Sequence, residues 1–500
     1  MPSFSRRSIA SGRQRPLRAR FAYVTIGEWT AWTPEARQDS LSSEGPQVYR
    51  PFPVSEPVAA TTGGRVRGRA FEHGLAFRGI PYAAPPVGPR RFRQDVLYLS
   101  LWTPGLDQAR RPVMVWTASG RYFHGRAFAR DEVVLVTASY RAAPFASLYV
   151  DELVPGVHGT GNLPLLDQIA VLEWVRDNAG AFGGDPDNVT VFGESHGARY
   201  ANALMTSPRA AGLVHRVIAM SLPRRGVGAA EPAERRAERF LAALDVRAGD
   251  WEALGDVSAD QVLEAAWRVG PGDPVIVDGS VLDGDPADLV AAGRAAGVDL
   301  LTGCTADEAR YTMFPGDELG PLPSHRTDPD QVRDDIAGWF APTGLTVDNV
   351  LATYAVERLG ATELDLLAAV ATDHFRIASQ RLAEAQLAHR DRVWMYRFSW
   401  RSPIRGGILG AFHWMDTAFA FDMLDEYRKL VGDDPPHALA HAYHDAFVRF
   451  ATCGDPGGGG LPAWPAYSVE RRPVMDFDVP CRLLLDPDPA ERRLWEGARL

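Results

Sequence analysis

Asn188-Val189-Thr190-Val191-Phe192-Gly193-Glu194-Ser195-His196-Gly197-Ala198 is the stretch that decides how the rest of this chain is read. An apolar, β-branched run stops at Gly193, one serine stands between two glycines, and a helix-compatible segment follows from Ala201 to Met205. This is the pattern of a nucleophile elbow, in which the serine sits on a tight strand-to-helix turn that only small flanking residues permit. Such a turn exposes Ser195 Oγ and leaves the unbonded N–H groups of a helix N-terminus beside it. Gly-x-Ser-x-Gly by itself says little, because at ~7% usage per residue it arises by chance in roughly one chain in five of this length. Its place between a strand and a helix gives it weight.

Working outward, two strongly apolar runs upstream, Val113 to Trp116 and Val133 to Thr137, read as buried central strands. Leu163 to Asn178 carries Leu166, Ile169, Leu172 and Val175 at helical spacing, and Gly183-Gly184-Asp185-Pro186 ends it. Further upstream, Val66 to Phe77 alternates around a turn near His73-Gly74 as a β-hairpin would, and Val96 to Trp102 is another strand. Downstream, Ala230 to Leu254 has helical periodicity, and strand-like runs return at Pro274 to Val277, Val298 to Thr302 and Val393 to Phe398. The order strand, helix, strand, elbow, helix is that of a doubly wound α/β sheet.

Composition narrows the function classes. The 500 residues are 46% hydrophobic, enough for a large core, and the net charge of −10 comes without a basic stripe in the body of the chain. Nucleic acid is therefore not an expected partner. Lys429 is the only lysine, a bias that speaks of a GC-rich, bacterial coding sequence. Cys304, Cys453 and Cys481 are odd in number and widely spaced, which suggests neither a metal site nor a disulfide framework and favours a reducing, cytoplasmic location. No apolar run reaches the length of a membrane span. Residues 1–57 differ from the rest: the first twenty hold six arginines and no acid, and Ser5-Arg6-Arg7-Ser8 resembles the start of an export signal. The apolar region such a signal needs is missing, so residues 1–57 are read as a disordered extension and 58–500 as a single domain.

A serine hydroxyl needs a general base, usually histidine, that an acid orients. In α/β-hydrolases these follow in the order serine, acid, histidine, each on a loop after a strand. Thr305-Ala306-Asp307-Glu308-Ala309 follows one strand, and Gly410-Ala411-Phe412-His413-Trp414-Met415-Asp416 follows another. Composition does not single out one acid or one histidine from the rest.

A resemblance does. From about Gly63 to Asp478 the chain resembles, in ordered segments, the type-B carboxylesterase and cholinesterase family. Phe77-Arg78-Gly79-Ile80-Pro81-Tyr82-Ala83 with Pro85-Pro86-Val87-Gly88 is similar to the family's N-terminal signature. Asn162, Asp167-Gln168, Trp174-Val175, Asn178 and Phe182-Gly183-Gly184-Asp185-Pro186 lead into Gly193-Glu194-Ser195 as in the family. Gly303 to Glu308 and Gly410 to Asp416 resemble the loops that bear its triad acid and triad histidine, and Gly454-Asp455-Pro456 with Leu461 to Tyr467 closes the match. The resemblance implies an α/β-hydrolase fold, a mostly parallel central sheet with helices on both faces. It also implies hydrolysis of small-molecule carboxylic esters through an acyl-enzyme, with Ser195 as nucleophile, His413 as base and Glu308 as the orienting acid, and with no cofactor or metal.

The chain also departs from the family. The oxyanion hole would take one donor from the N–H of His196 and two from a glycine-rich loop after Trp116. Where the family has His-Gly-Gly-Gly-Phe, this chain has Ala118-Ser119-Gly120-Arg121-Tyr122, so Gly120 keeps one donor position and Arg121 fills the other. Family segments are missing between Arg93 and Asp95 and between Gly125 and Val133, and Ala143 and Ala146 replace glycines. These changes suggest a shallower pocket. They leave open two alternatives to ester hydrolysis: a weakened or inactive homologue acting as a binding protein, or a carbamate or amide hydrolase using the same triad. His437, His441 and His444 fall on one helical face, but no acid partner is evident in the sequence and they read as packing residues. Asp416 reads as a residue that orders the His413 loop.

Overall fold

The computed structural model describes residues 56–83, 97–117, 123–141, 148–151, 153, 159–223, 227–270, 272, 275–314 and 328–498. All but the last two residues of the expected disordered extension, together with Gly120, Arg121, Ala143, Ala146 and the missing segment near Arg93, lie outside them. Within them, the runs flanking the elbow are neighbours in one eleven-stranded sheet. Its strands are β1 (Arg69–Phe71), β2 (Gly74–Pro81), β3 (Tyr98–Thr103), β4 (Arg111–Trp116), β5 (Val134–Ala138) and β6 (Gly184–Glu194), followed by β7 (Arg216–Met220), β8 (Asp299–Thr305), β9 (Val393–Phe398), β10 (Pro473–Phe477) and β11 (Arg482–Leu485). In space they run β11-β10-β9-β8-β7-β6-β4-β5-β3-β2-β1. The central strands from β4 to β10 pair in parallel, and antiparallel strands close both edges.

A parallel sheet must be covered on both faces, and the two-residue period of its strands shows how. Val113, Val115, Val189, Val191, Val217, Leu300, Val393 and Met395 point into one core. Met114, Trp116, Phe192, Ile218, Met220, Leu301, Trp394, Tyr396 and Phe398 point into the other. The first core is covered by α1 (Leu163–Asn178) and α2 (His196–Thr206), the second by α4 (His437–Cys453). Long α3 (Glu363–Leu387) serves both, giving Ile377 to one side and Leu382 and Ala383 to the other.

Three expectations change. The Ala230 to Leu254 region is two helices, Ala230–Ala243 and Trp251–Asp256, because Asp250 accepts the Ala253 N–H and starts a new helix. Val275–Val277 is a strand, but it pairs with Val227–Ala229 outside the main sheet. The hairpin is Arg69–Phe71 against Gly74–Pro81, and Val66 belongs instead to a separate two-stranded ribbon with Val58–Thr61. The three cysteines are free, Cys304 buried and Cys453 exposed. No described helix is long and apolar enough to cross a membrane.

Candidate active site

β6 ends at Glu194 and α2 begins at His196, so Ser195 alone makes the turn between them. Its backbone pays for that sharpness, with φ 57° and ψ −114°, a region costing of order 1–3 kcal/mol for a residue with a Cβ. Two bonds hold it there: Ser195 N–H donates to Met220 O at 2.9 Å, and Arg199 N–H donates to Ser195 O at 3.1 Å. The glycines have a steric reason. A Cβ on Gly193 would lie 2.6 Å from the Gly197 carbonyl carbon and against Thr117 Oγ1. Thr117 Oγ1 itself bonds Gly197 O at 2.8 Å and Phe192 O at 3.1 Å, tying the end of β4 to the elbow.

Ser195 is half-buried at the C-terminal end of the sheet, where β7, β8 and β9 also end. Glu308 follows β8 and is 1% exposed. One of its oxygens accepts from the Ser221 hydroxyl and from the Thr305 N–H, the latter at 2.7 Å. Its other oxygen contacts His413 Nδ1. The imidazole thus stands with Nδ1 on Glu308 and its far side toward the elbow, where Nε2 lies 3.0 Å from Glu194 Oε1. The Phe375 ring of α3 leans on the imidazole at 5.1 Å between centroids. Trp414, next in the chain, is buried with φ 60°, a second left-handed residue at the site.

Glu308, His413 and Ser195 were legible as motif positions, and the structure brings Glu308 and His413 into contact beside the elbow. Ser221, Thr305 and Phe375 were not anticipated. Ser221 stands at the end of β7, next to the elbow strand, and its own φ of 52° marks another tight turn. A serine just past a strand neighbouring the elbow was the one available signal. Of the oxyanion residues, His196 opens α2, while Gly120 and Arg121 lie outside the described residues. Solvent reaches His196, yet surrounding protein strips its ring of hydration and Arg199 and His413 add to the effect, drawing the imidazole down to about 4. It is neutral at neutral pH.

Asp416, three residues after His413, is fully buried. Tyr443 donates to its Oδ2 at 2.9 Å and Tyr396 at 3.4 Å, while Oδ1 has no hydrogen-bond partner among the described residues. Burial first, then the nearby Glu308 and Glu194 charges, push its carboxyl up to about 8. Asp416 therefore ties the His413 loop to α4 as a neutral acid at neutral pH.

The histidine row of α4 also differs from its reading in sequence, since acids do face it. His444 Nε2 lies 3.1 Å from Asp131, His441 Nε2 3.5 Å from Asp422, and His437 Nε2 3.9 Å from Asp425. Among the described residues no three metal-ligating side chains converge. Arg130 shares Asp131 and Asp422 with these histidines, so the row is a set of polar contacts between α4 and two loops.

Comparison with known proteins agrees with this architecture. The family model described as "Carboxylesterase family" matches residues 93–484. The para-nitrobenzyl esterase of Bacillus subtilis (strain 168) is 29% identical, over 88% of this chain and 98% of the relative. Phenmedipham hydrolase of Pseudarthrobacter oxydans is 28% identical, over 84% and 95%. The crystal structure of the Geobacillus stearothermophilus carboxylesterase EST55 at pH 6.2 superposes with a TM-score of 0.76 at 32% identity, covering 88% of this chain and 99% of its own. The chain belongs to the carboxylesterase family and is a carboxylic ester hydrolase of the α/β-hydrolase fold.

Proposed function

We propose that ester cleavage proceeds through an acyl-enzyme on Ser195, with His413 as general base and Glu308 as the acid that orients it. The observation that carries this reading is the contact of His413 Nδ1 with a buried Glu308, which leaves Nε2 directed to the elbow. Ser195 Oγ attacks the ester carbonyl as Nε2 takes its proton. The tetrahedral intermediate collapses as the same proton passes to the leaving alcohol, and water then repeats the sequence to release the acid. Glu308 stabilises the imidazolium formed in each half. No group beyond these side chains and water is required.

During attack Nε2 must serve Ser195 rather than Glu194, so the 3.0 Å contact with Glu194 Oε1 has to lengthen. Among the oxyanion donors, the His196 N–H at the start of α2 is a backbone group that its side chain does not alter, and the helix end favours negative charge there. Gly120 and Arg121 are proposed as the remaining donors on sequence position alone. Small-molecule esters are the proposed substrates.

The test is hydrolysis of a short-chain p-nitrophenyl ester, with a fluorophosphonate probe alongside. Ser195→Ala should abolish labelling and lower kcat by about 10⁴–10⁶. Full turnover in Ser195→Ala would remove the serine mechanism. Labelling without turnover in the unaltered protein would instead favour a homologue with an activated serine and a defective oxyanion hole.

A further inference from the structure

The triad acid and the triad base come from loops more than a hundred residues apart, and something other than their own contact must set the distance between those loops. Asp307, the residue before Glu308, does so with both its backbone and its side chain. Its N–H donates to Ala411 O at 2.9 Å, and its Oδ2 accepts the Ala411 N–H at 2.9 Å. The two bonds close a ring between the residue before Glu308 and the residue two before His413. A neighbouring strut runs the same way, Arg310 Nε to Ile408 O at 2.7 Å.

The partner loop is shaped to receive this carboxylate. Gly410 has φ +63°, and a Cβ there would lie 2.5 Å from Asp307 Cγ. Gly410 O in turn accepts from Ser402 N–H at 3.1 Å, which anchors the loop from its other side. Arg401 holds the same Oδ2 from solvent at 3.1 Å. The contacts of Asp307 are with Ala411, Gly410, Arg310 and Arg401, none of them a reacting group, so any effect it has on turnover passes through the loops.

Resting on the triad reading above, we propose that Asp307 is the positioning residue that locks the Glu308 loop to the His413 loop, with Gly410 as the recess that admits it. Small displacements of a base cost rate steeply, about 10²-fold for a shift near 1 Å. Binding of the ester does not use the lock.

Asp307→Ala, Asp307→Asn, Gly410→Ala and Glu308→Ala are compared with the unaltered protein, with rates normalised to sites titrated by the fluorophosphonate probe and folding checked by circular dichroism. Asp307→Ala should lower kcat about 10–100-fold with KM within about twofold. Asp307→Asn should restore most of the rate, because its amide oxygen still accepts from Ala411 N–H. Gly410→Ala should reproduce the loss by a route that leaves Asp307 in place, and it decides the question if Asp307→Ala does not fold. Normal kcat in either Asp307→Ala or Gly410→Ala overturns the lock, and so does Asp307→Asn as poor as Asp307→Ala. Glu308→Ala keeps the two readings apart. Unchanged activity there overturns the triad, while a dead Glu308→Ala beside a fully active Asp307→Ala overturns the lock alone.

Discussion

At the residue scale, the least expected group is Asp416. A carboxyl whose folded-state value is raised from 3.8 to about 8 keeps its proton in the folded protein after the unfolded chain has lost it. Between about pH 4 and pH 8 the folded state therefore binds more protons, and this group's contribution makes stability fall as pH rises, by at most about 1.4 kcal/mol per pH unit. Below that window the burial cost is absent, and above it the cost is constant. Asp416→Asn cannot titrate but still accepts from Tyr443. Its stability relative to the unaltered protein, measured by urea unfolding, should rise between pH 4 and pH 8 and then level. A flat difference across that span would show that Asp416 does not titrate there. The motif places Asp416 beside His413, but its neutrality depends on Tyr396, Tyr443, Glu194 and Glu308. None of these lies within fifteen residues of it.

At the scale of elements, the elbow is the part the sequence states most fully. Gly193 was legible because the turn needs a residue without a Cβ, and the structure supplies the atom in the way, the Gly197 carbonyl carbon at 2.6 Å. Gly193→Ala should therefore displace the start of α2 and with it Ser195. The expected result is a fall in kcat and in fluorophosphonate labelling rate of about 10²-fold or more, with KM little changed. Normal labelling would mean that the turn relaxes around the extra carbon. Strongly periodic elements were equally legible: Leu163–Asn178 and Val393–Phe398 form with the bounds their patterns suggest. The Ala230 to Leu254 region was not, because its periodicity continues across a break set by the positive φ of Asp245 and Gly249 and by the Asp250 cap. The partners of His437, His441 and His444 were illegible for a different reason. Asp425, Asp422 and Asp131 arrive from other loops, and helical spacing carries no record of what packs opposite.

At the scale of the whole molecule, the sheet separates chemistry from anchorage. Ser195, Glu308 and His413 follow the C-terminal ends of β6, β8 and β9, where doubly wound sheets place their sites. The opposite ends are fastened by Asp299, the first residue of β8, whose side chain is almost fully buried. Arg390 Nε donates to it at 2.8 Å and Arg392 Nε at 3.0 Å, just before β9, while Arg216 at the start of β7 lies 3.4 Å away. Three adjacent parallel strands thus share one carboxylate, and Arg392 and Arg216 extend the tie to the carbonyls of Cys453 and Ala451 at the end of α4. Asp299→Ala would leave three guanidiniums crowded around a vacated charge. A broken buried pair costs about 3–5 kcal/mol, and because water reaches Arg390 and Arg392 the lower end, about 3 kcal/mol, is expected here. Urea unfolding should show that loss, while kcat and KM measured well below the melting temperature should stay at their unaltered values, since the site lies a full strand length away. A fall in kcat in folded Asp299→Ala would mean that strain at the anchored ends travels along the strands to Glu308 and His413, and that the two ends of this sheet are not independent.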